Sequence, residues 1–231
     1  MAGMIAARRQ RHGAVKWPGQ LPADFTGGMS IPMATIMPSS RAKQAIAAVL
    51  ALTGITIGGV TYISGVPDDI VLASTALVEP WEGEVLKAYL DKIAKPPVWT
   101  VCAGDTKNVK PDMVETPKGC KARLQRRMTK EFRPALVKCV PGFKKQPLSW
   151  RSMMDSLAWN IGSRAACNSG AAGIVNVAVA KGKTPDYVAS CKAATLYNKA
   201  GGRFIIGLAH RREMGDATRI GEGELCMSGL D

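Results

Sequence analysis

The chain has 231 residues, 46% of them hydrophobic and 21% charged, enough to bury a core and unlike the composition of a disordered or fibrous protein. Its formal charge of +13 divides as +3 over residues 1–36, +2 over 37–66 and +8 over 67–231, so the body of the chain is itself basic. Such a charge suits an anionic cell wall or membrane. Nucleic acid is set aside as a partner, because the sequence carries no zinc-finger spacing, RNA-binding aromatic signature or basic zipper.

Residues 1–36 hold Arg8, Arg9, Arg11 and Lys16 followed by scattered Gly and Pro, without periodicity. They are expected to be disordered, or to be a non-native extension, since Met37-Pro38-Ser39-Ser40 makes a natural bacterial start. From Gln44 to Pro67 no residue is charged. The centre of this run, Ala45 to Ile63, has 19 residues, just the length of a membrane-crossing helix, although Gly54, Gly58, Gly59 and three threonines dilute it. Residues 37–66 are therefore expected to form one weakly apolar membrane helix through 45–63. Arg41 and Lys43 before it place its N-terminus in the cytoplasm. A cleaved signal peptide is the competing reading.

The rest, residues 67–231, reads as one α+β domain. Ile70 to Glu82 is a helix with Ile70, Leu72, Ala73, Leu77 and Trp81 mostly on one side, kinked by Pro80 and stopped by Gly83. Tyr89-Leu90 and Val98 to Val101 suit two strands of a hairpin turning at Pro96-Pro97. Thr116-Pro117 opens a basic helix running towards Phe132, and Pro134 opens a short one ending near Pro141. Ser149 is expected to cap the core helix Trp150–Ile161, and two further helices are expected near Ala171–Ala180 and Pro185–Leu196.

The chemistry concentrates at Glu82, Asp91 and Thr100. A carboxyl at a helix C-terminus, partly buried, is disfavoured as an anion, whereas Asp91 nearer solvent stays ionised. Two carboxyl groups pushed apart in this way are what glycoside hydrolysis needs. Carboxylates are common, so a Glu nine residues before an Asp gains meaning only from its neighbours. Glu79 and Glu84 are the internal rivals, but neither precedes glycine or has a carboxylate nine residues on.

Six cysteines, Cys102, Cys120, Cys139, Cys167, Cys191 and Cys226, all follow the apolar run. An even count there predicts disulfides made in an oxidising compartment, with fifteen possible connectivities. There is no Cys-x-x-Cys and there are two histidines, so no metal or cofactor is called for. A Cys102–His210 thiol hydrolase rests on no informative spacing.

Glu82-Gly83, Leu86-Lys87-Ala88-Tyr89 and Trp99-Thr100-Val101-Cys102 with Gly104 and Thr106 together resemble the active-site segment of T4-type phage lysozymes, the lambdoid endolysins of glycoside hydrolase family 24. Asn160-Ile161-Gly162 and the run from Gly201-Gly202-Arg203 to Arg211-Arg212-Glu213 resemble two further family blocks, so the likeness spans roughly residues 67–226. It implies a mainly helical lysozyme fold with a small β-lobe, acting as a monomer. The implied reaction is hydrolysis of the β-1,4 bond between N-acetylmuramic acid and N-acetylglucosamine in peptidoglycan, for host lysis. Glu82 would be the general acid, Asp91 would stabilise developing positive charge, and Thr100 would hold the attacking water. The likeness also offers a third reading of the apolar run: a signal-anchor that tethers the enzyme to the inner membrane and then releases it to the periplasm. Asn160 is assigned a local hydrogen bond at a helix stop, and the arginines of the last block are assigned packing and surface pairs. Two departures stand out. Lys92–Pro97 lengthens the hairpin by three residues, and Asp105 replaces the histidine of a usual Gly-His-Thr. The competing functions are a lytic transglycosylase on the same bond and a non-enzymatic cationic protein that disrupts membranes or binds walls.

Overall fold

A computed structural model describes residues 35–230 with the exception of Thr53, Ile93 and Lys95; the extension expected over residues 1–36 falls almost wholly outside them. The first described helix, α1 (Ser40–Leu50), is capped by the Ser39 side chain, which accepts from the Ala42 amide. It buries Ala42, Ile46 and Val49. Here the expected membrane helix is corrected. The helix stops at Leu50, and the rest of the uncharged run forms an antiparallel sheet of β1 (Ile55–Ile57), β2 (Val60–Ile63) and β3 (Val66–Pro67). Among the described residues no helix is long and apolar enough to cross a membrane. The cause is legible in the composition: Gly58-Gly59, both at positive φ, turn β1 into β2, and the β-branched residues around them favour strands.

The chain then enters α2 (Asp68–Leu72), a π-helical turn (Ala73–Val78) and α3 (Glu79–Glu82). The widened turn precedes Pro80, which lacks the N–H that a regular helix would need there. Gly83, at φ 72°, ends α3 in a backbone conformation that side-chain-bearing residues resist. The hairpin follows as β4 (Val85–Asp91) and β5 (Val98–Cys102), paired Tyr89 to Thr100, Leu90 to Trp99 and Asp91 to Val98. Two residues of the lengthened turn, Ile93 and Lys95, lie outside the described set.

Thr116 caps α4 (Pro117–Arg127) as its sequence predicts, with its side chain accepting from the Gly119 amide. A π-helical turn (Met128–Phe132) leads into α5 (Arg133–Cys139). The core helix α6 (Leu148–Ile161) starts earlier than expected. Pro147 occupies its cap position, and Ser149, inside the helix, donates to the Cys226 carbonyl instead. Every residue from Ser149 to Trp159 is buried. After α6 come α7 (Ser163–Cys167), α8 (Gly170–Ala180), α9 (Tyr187–Ala194), the exposed ribbon β6 (Lys199–Ala200) and β7 (Arg203–Phe204), α10 (Ile206–Arg212) and α11 (Glu222–Ser228), with α7, α9 and α11 packing directly on α6. The result is the mainly helical α+β arrangement with a small β-lobe that the sequence implies.

All six cysteines pair, as Cys102–Cys120, Cys139–Cys167 and Cys191–Cys226. The first ties β5 to α4, the second α5 to α7 and the third α9 to α11. Removing the second, which closes a loop of 28 residues, by Cys139→Ala/Cys167→Ala is expected to cost about 3–4 kcal/mol of unfolding free energy, read by denaturant titration.

A buried ionic cluster fastens α2 to α5 and α6. Asp68 and Asp69 pair with Arg151, and Asp69 also pairs with Arg133. Asp155 lies among them, fully buried, with neither carboxyl oxygen accepting a hydrogen bond. Desolvation, with Asp69 adding to it, pushes the Asp155 carboxyl well above the ordinary aspartate range against the opposing pull of Arg133 and Arg151. Protonated Asp155 leaves two carboxylates against two guanidiniums, a neutral cluster. A group whose folded pKa is raised loses stability as pH climbs from its unfolded value, about 3.9, through its folded one. Asp155→Asn is therefore expected to match the parent in Tm near pH 4 and to gain on it progressively towards neutral pH. A variant that falls further behind as pH rises would contradict a neutral Asp155.

Candidate active site

Glu82 sits at the last position of α3, its side chain 22% exposed, so the carboxyl reaches solvent while its stem is packed. Opposite it, Arg211 from the end of α10 donates from Nη1 to Glu82 Oε1 at 2.7 Å. Arg211 is itself buried and donates from Nε to Glu222 Oε1 at 3.3 Å. Glu222, at the start of α11, is wholly buried and also accepts from the Ser156 hydroxyl at 2.7 Å. Arg212 pairs with Glu222 from the other side and donates to Asn160 Oδ1 and to the Tyr197 carbonyl. Glu82 thus stands at the solvent end of a buried chain, Glu82–Arg211–Glu222–Arg212–Asn160, running into the centre of the fold. The contact between the Arg211 guanidinium and Glu82 joins residues 129 positions apart, so the sequence argument about a helix end does not include it.

Arg211 is the functional residue that sequence reasoning missed. Neither it nor Arg212 forms a surface pair, and the Asn160 hydrogen bond joins residues 52 positions apart rather than a local turn. The only signal in the sequence was the doubled arginine in the last family block, which states nothing about which carboxylate it meets.

The hairpin supplies the other two groups. Side chains alternate along a strand, so Tyr89 and Asp91 share a face of β4 and meet Thr100 and Val98 on the same face of β5. Asp91 accepts from the Ala94 amide at 3.3 Å. Both Asp91 and Glu82 act on the Tyr89 hydroxyl: burial raises its pKa, and the two carboxylates raise it further. Thr100, 3% exposed, lies across from Tyr89 and donates its proton to the Val98 carbonyl at 3.3 Å.

The rivals Glu79 and Glu84 line a depression with Gly83, Lys118, Lys121 and Leu124. Burial pushes the Glu79 carboxyl up, opposed by Lys121 and aided by Glu84. Asp105, standing where relatives carry histidine, is structural. It accepts from the Lys107 amide and pairs with Arg123 and Arg127, tying the turn after β5 to α4. Among the described residues, no cluster of three or more acidic, histidine or cysteine side chains could hold a metal ion.

The profile of the family described as phage lysozyme matches residues 79–215, the span from the start of α3 past the end of α10. The chain belongs to the phage lysozyme family. Its fold is similar to that of the active form of the P1 phage endolysin Lyz, with a TM-score of 0.53 at 18% identity over 85% of this chain and 98% of that one. It is also similar to the endolysin from Escherichia coli O157:H7 phage FAHEc1, with a TM-score of 0.52 at 22% identity over 68% of this chain and 92% of that one. No curated protein matches the chain in sequence at a significant level. Family membership makes the protein a lysozyme-type peptidoglycan hydrolase.

Because Glu222 is fully buried, removing its guanidinium partner strands a charge. Arg211→Met is expected to cost about 3–5 kcal/mol of unfolding free energy, measured by urea titration at neutral pH. A loss below about 1 kcal/mol would show that Arg212 alone compensates Glu222.

Proposed function

We propose that this lysozyme cleaves the β-1,4 bond from N-acetylmuramic acid to N-acetylglucosamine, with Glu82 as general acid. The observation that carries the reading is the placement of Glu82: a partly buried carboxyl held by a buried arginine at the end of α3, with Gly83 and then the strand that bears Asp91 directly after it. Glu82 protonates the glycosidic oxygen. Asp91 stabilises the positive charge that grows on the sugar ring and helps orient water. Thr100 is assigned the attacking water through its oxygen lone pairs, its proton being engaged by Val98. The basic surface holds the anionic wall at the site.

The lytic-transglycosylase alternative needs a single carboxyl, and the presence of Asp91 on the hairpin face that it shares with Thr100 favours hydrolysis. Purified sacculi digested with the parent are expected to give muropeptides ending in reducing N-acetylmuramic acid, identified by mass spectrometry. Glu82→Gln is expected to lower their release at least a hundredfold with the Tm retained, and Glu79→Gln to leave it within a few-fold. Anhydro sugars would reassign the reaction, and an active Glu82→Gln would remove the acid.

We further propose that the enzyme serves host lysis as a monomer in the periplasm, reached by way of the inner membrane. Three disulfides support an oxidising compartment. On this reading residues 40–50 and 55–67 travel with the enzyme as α1 and the first sheet of its folded body. N-terminal sequencing of periplasmic protein is expected to retain these residues. A start at or near Val66 would mean cleavage instead.

A further inference from the structure

The segment joining α10 to α11, residues 213–221, is folded tightly on itself. Gly215 has a φ of 71°, and a side chain there would collide with the Arg219 carbonyl. A side chain at Gly221 would collide with the backbone carbonyl of Glu213. Asp216 gathers the turn: its carboxylate accepts from the amides of Thr218 and Arg219, the Thr218 hydroxyl and the Arg219 guanidinium. A loop closed this way moves as a unit.

Both ends of that unit are gripped. On one side, Arg41 of α1 donates from Nη1 to the Asp216 carbonyl at 2.6 Å and from Nη2 to the Met214 carbonyl at 2.8 Å. The same guanidinium is bidentate on Glu224 of α11, at 2.7 and 2.8 Å. On the other side, the Ile220 carbonyl accepts from the Trp81 indole N–H at 2.8 Å, and the Arg219 guanidinium lies 3.8 Å above the Trp81 ring. Trp81 immediately precedes Glu82. The loop is flanked by Arg211 and Glu222, the two groups that fix the Glu82 carboxylate.

We infer that Arg41 and the 213–221 loop are positioning elements for Glu82, holding α3 through Trp81 at the height where the carboxyl meets both Arg211 and the hairpin face. The inference rests on Glu82 being the acid. Its physical content is that α3, only four residues long and bounded by a widened turn and by Gly83, has little rigidity of its own. The indole contact and the stacked guanidinium supply it from outside. A displacement of about 1 Å at a reacting group can cost on the order of a hundredfold in rate. Arg41 acts at a distance, so it contributes to turnover without touching the substrate.

The test is steady-state muropeptide release from purified sacculi by the full-length protein, with Arg41→Ala, Trp81→Phe and the double variant compared at equal folded fraction. Each single variant is expected to lose about ten- to a hundredfold in kcat with KM within about twofold. The double variant is expected to lose no more than the worse single, since both act through one loop. Arg41→Lys, which keeps the charge but cannot span two carbonyls and a carboxylate, is expected to rescue little. Arg219→Gln reports on the same loop should Arg41→Ala fold poorly. Unchanged kcat in folded Arg41→Ala and Arg219→Gln, or losses that multiply in the double variant, would overturn the inference. Glu82→Gln run in parallel separates the two failures. If it is inactive while the Arg41 and Trp81 variants are normal, only the positioning role falls; if it is active, the assignment of the acid falls first.

Discussion

The structure depends on a guanidinium taken out of water. Arg211 is buried between one carboxylate that reaches solvent and one that does not, and desolvating a charge costs several kcal/mol unless geometry repays it. Here the repayment is shared: Glu222 and Glu82 together balance the charges of Arg211 and Arg212, the Ser156 hydroxyl donates to Glu222, Asn160 accepts from Arg212, and Glu82 closes the chain towards the surface. The cost explains the surrounding architecture. α6 supplies Ser156 and Asn160 from its buried face, α11 brings Glu222 by its first residue, and the two arginines end α10. A carboxyl positioned by such an arrangement is fixed by the whole helical body, although it belongs to a four-residue helix.

The second cluster follows the same logic with the opposite outcome. Asp68, Asp69, Arg133 and Arg151 balance, and Asp155 is the surplus carboxyl. Burial and the neighbouring Asp69 push its carboxyl well above the ordinary aspartate range. One buried network therefore ends towards solvent, while the other is sealed and joins α2 to α5 and α6.

Much of this was legible in the residues. Gly83 ended a helix, Thr116-Pro117 began one, and the β-branched run around Thr100 made a strand, because each depends on neighbours in sequence. Glu82 and Asp91 were singled out by their spacing and their neighbours. The partners of Glu82 were not, since an ion pair 129 positions long leaves no local trace. The same holds for the Asp105 ion pairs with α4 and for the disulfide pairing, chosen among fifteen by tertiary contacts alone. The uncharged run misled for a different reason. Its length satisfied a bilayer, but its glycines and β-branched residues also satisfied a turn and three short strands, and the body of the protein offered α1 a place to bury Ile46 and Val49.

The central claim is that Arg211 and Glu82 act on each other through a direct, partly buried contact. A double-mutant cycle of Glu82→Gln and Arg211→Met, read as unfolding free energy at neutral pH, measures it. The account predicts a coupling of about 1.5–3 kcal/mol, the range of a hydrogen bond to a charged group. Additivity within about 0.5 kcal/mol would contradict it.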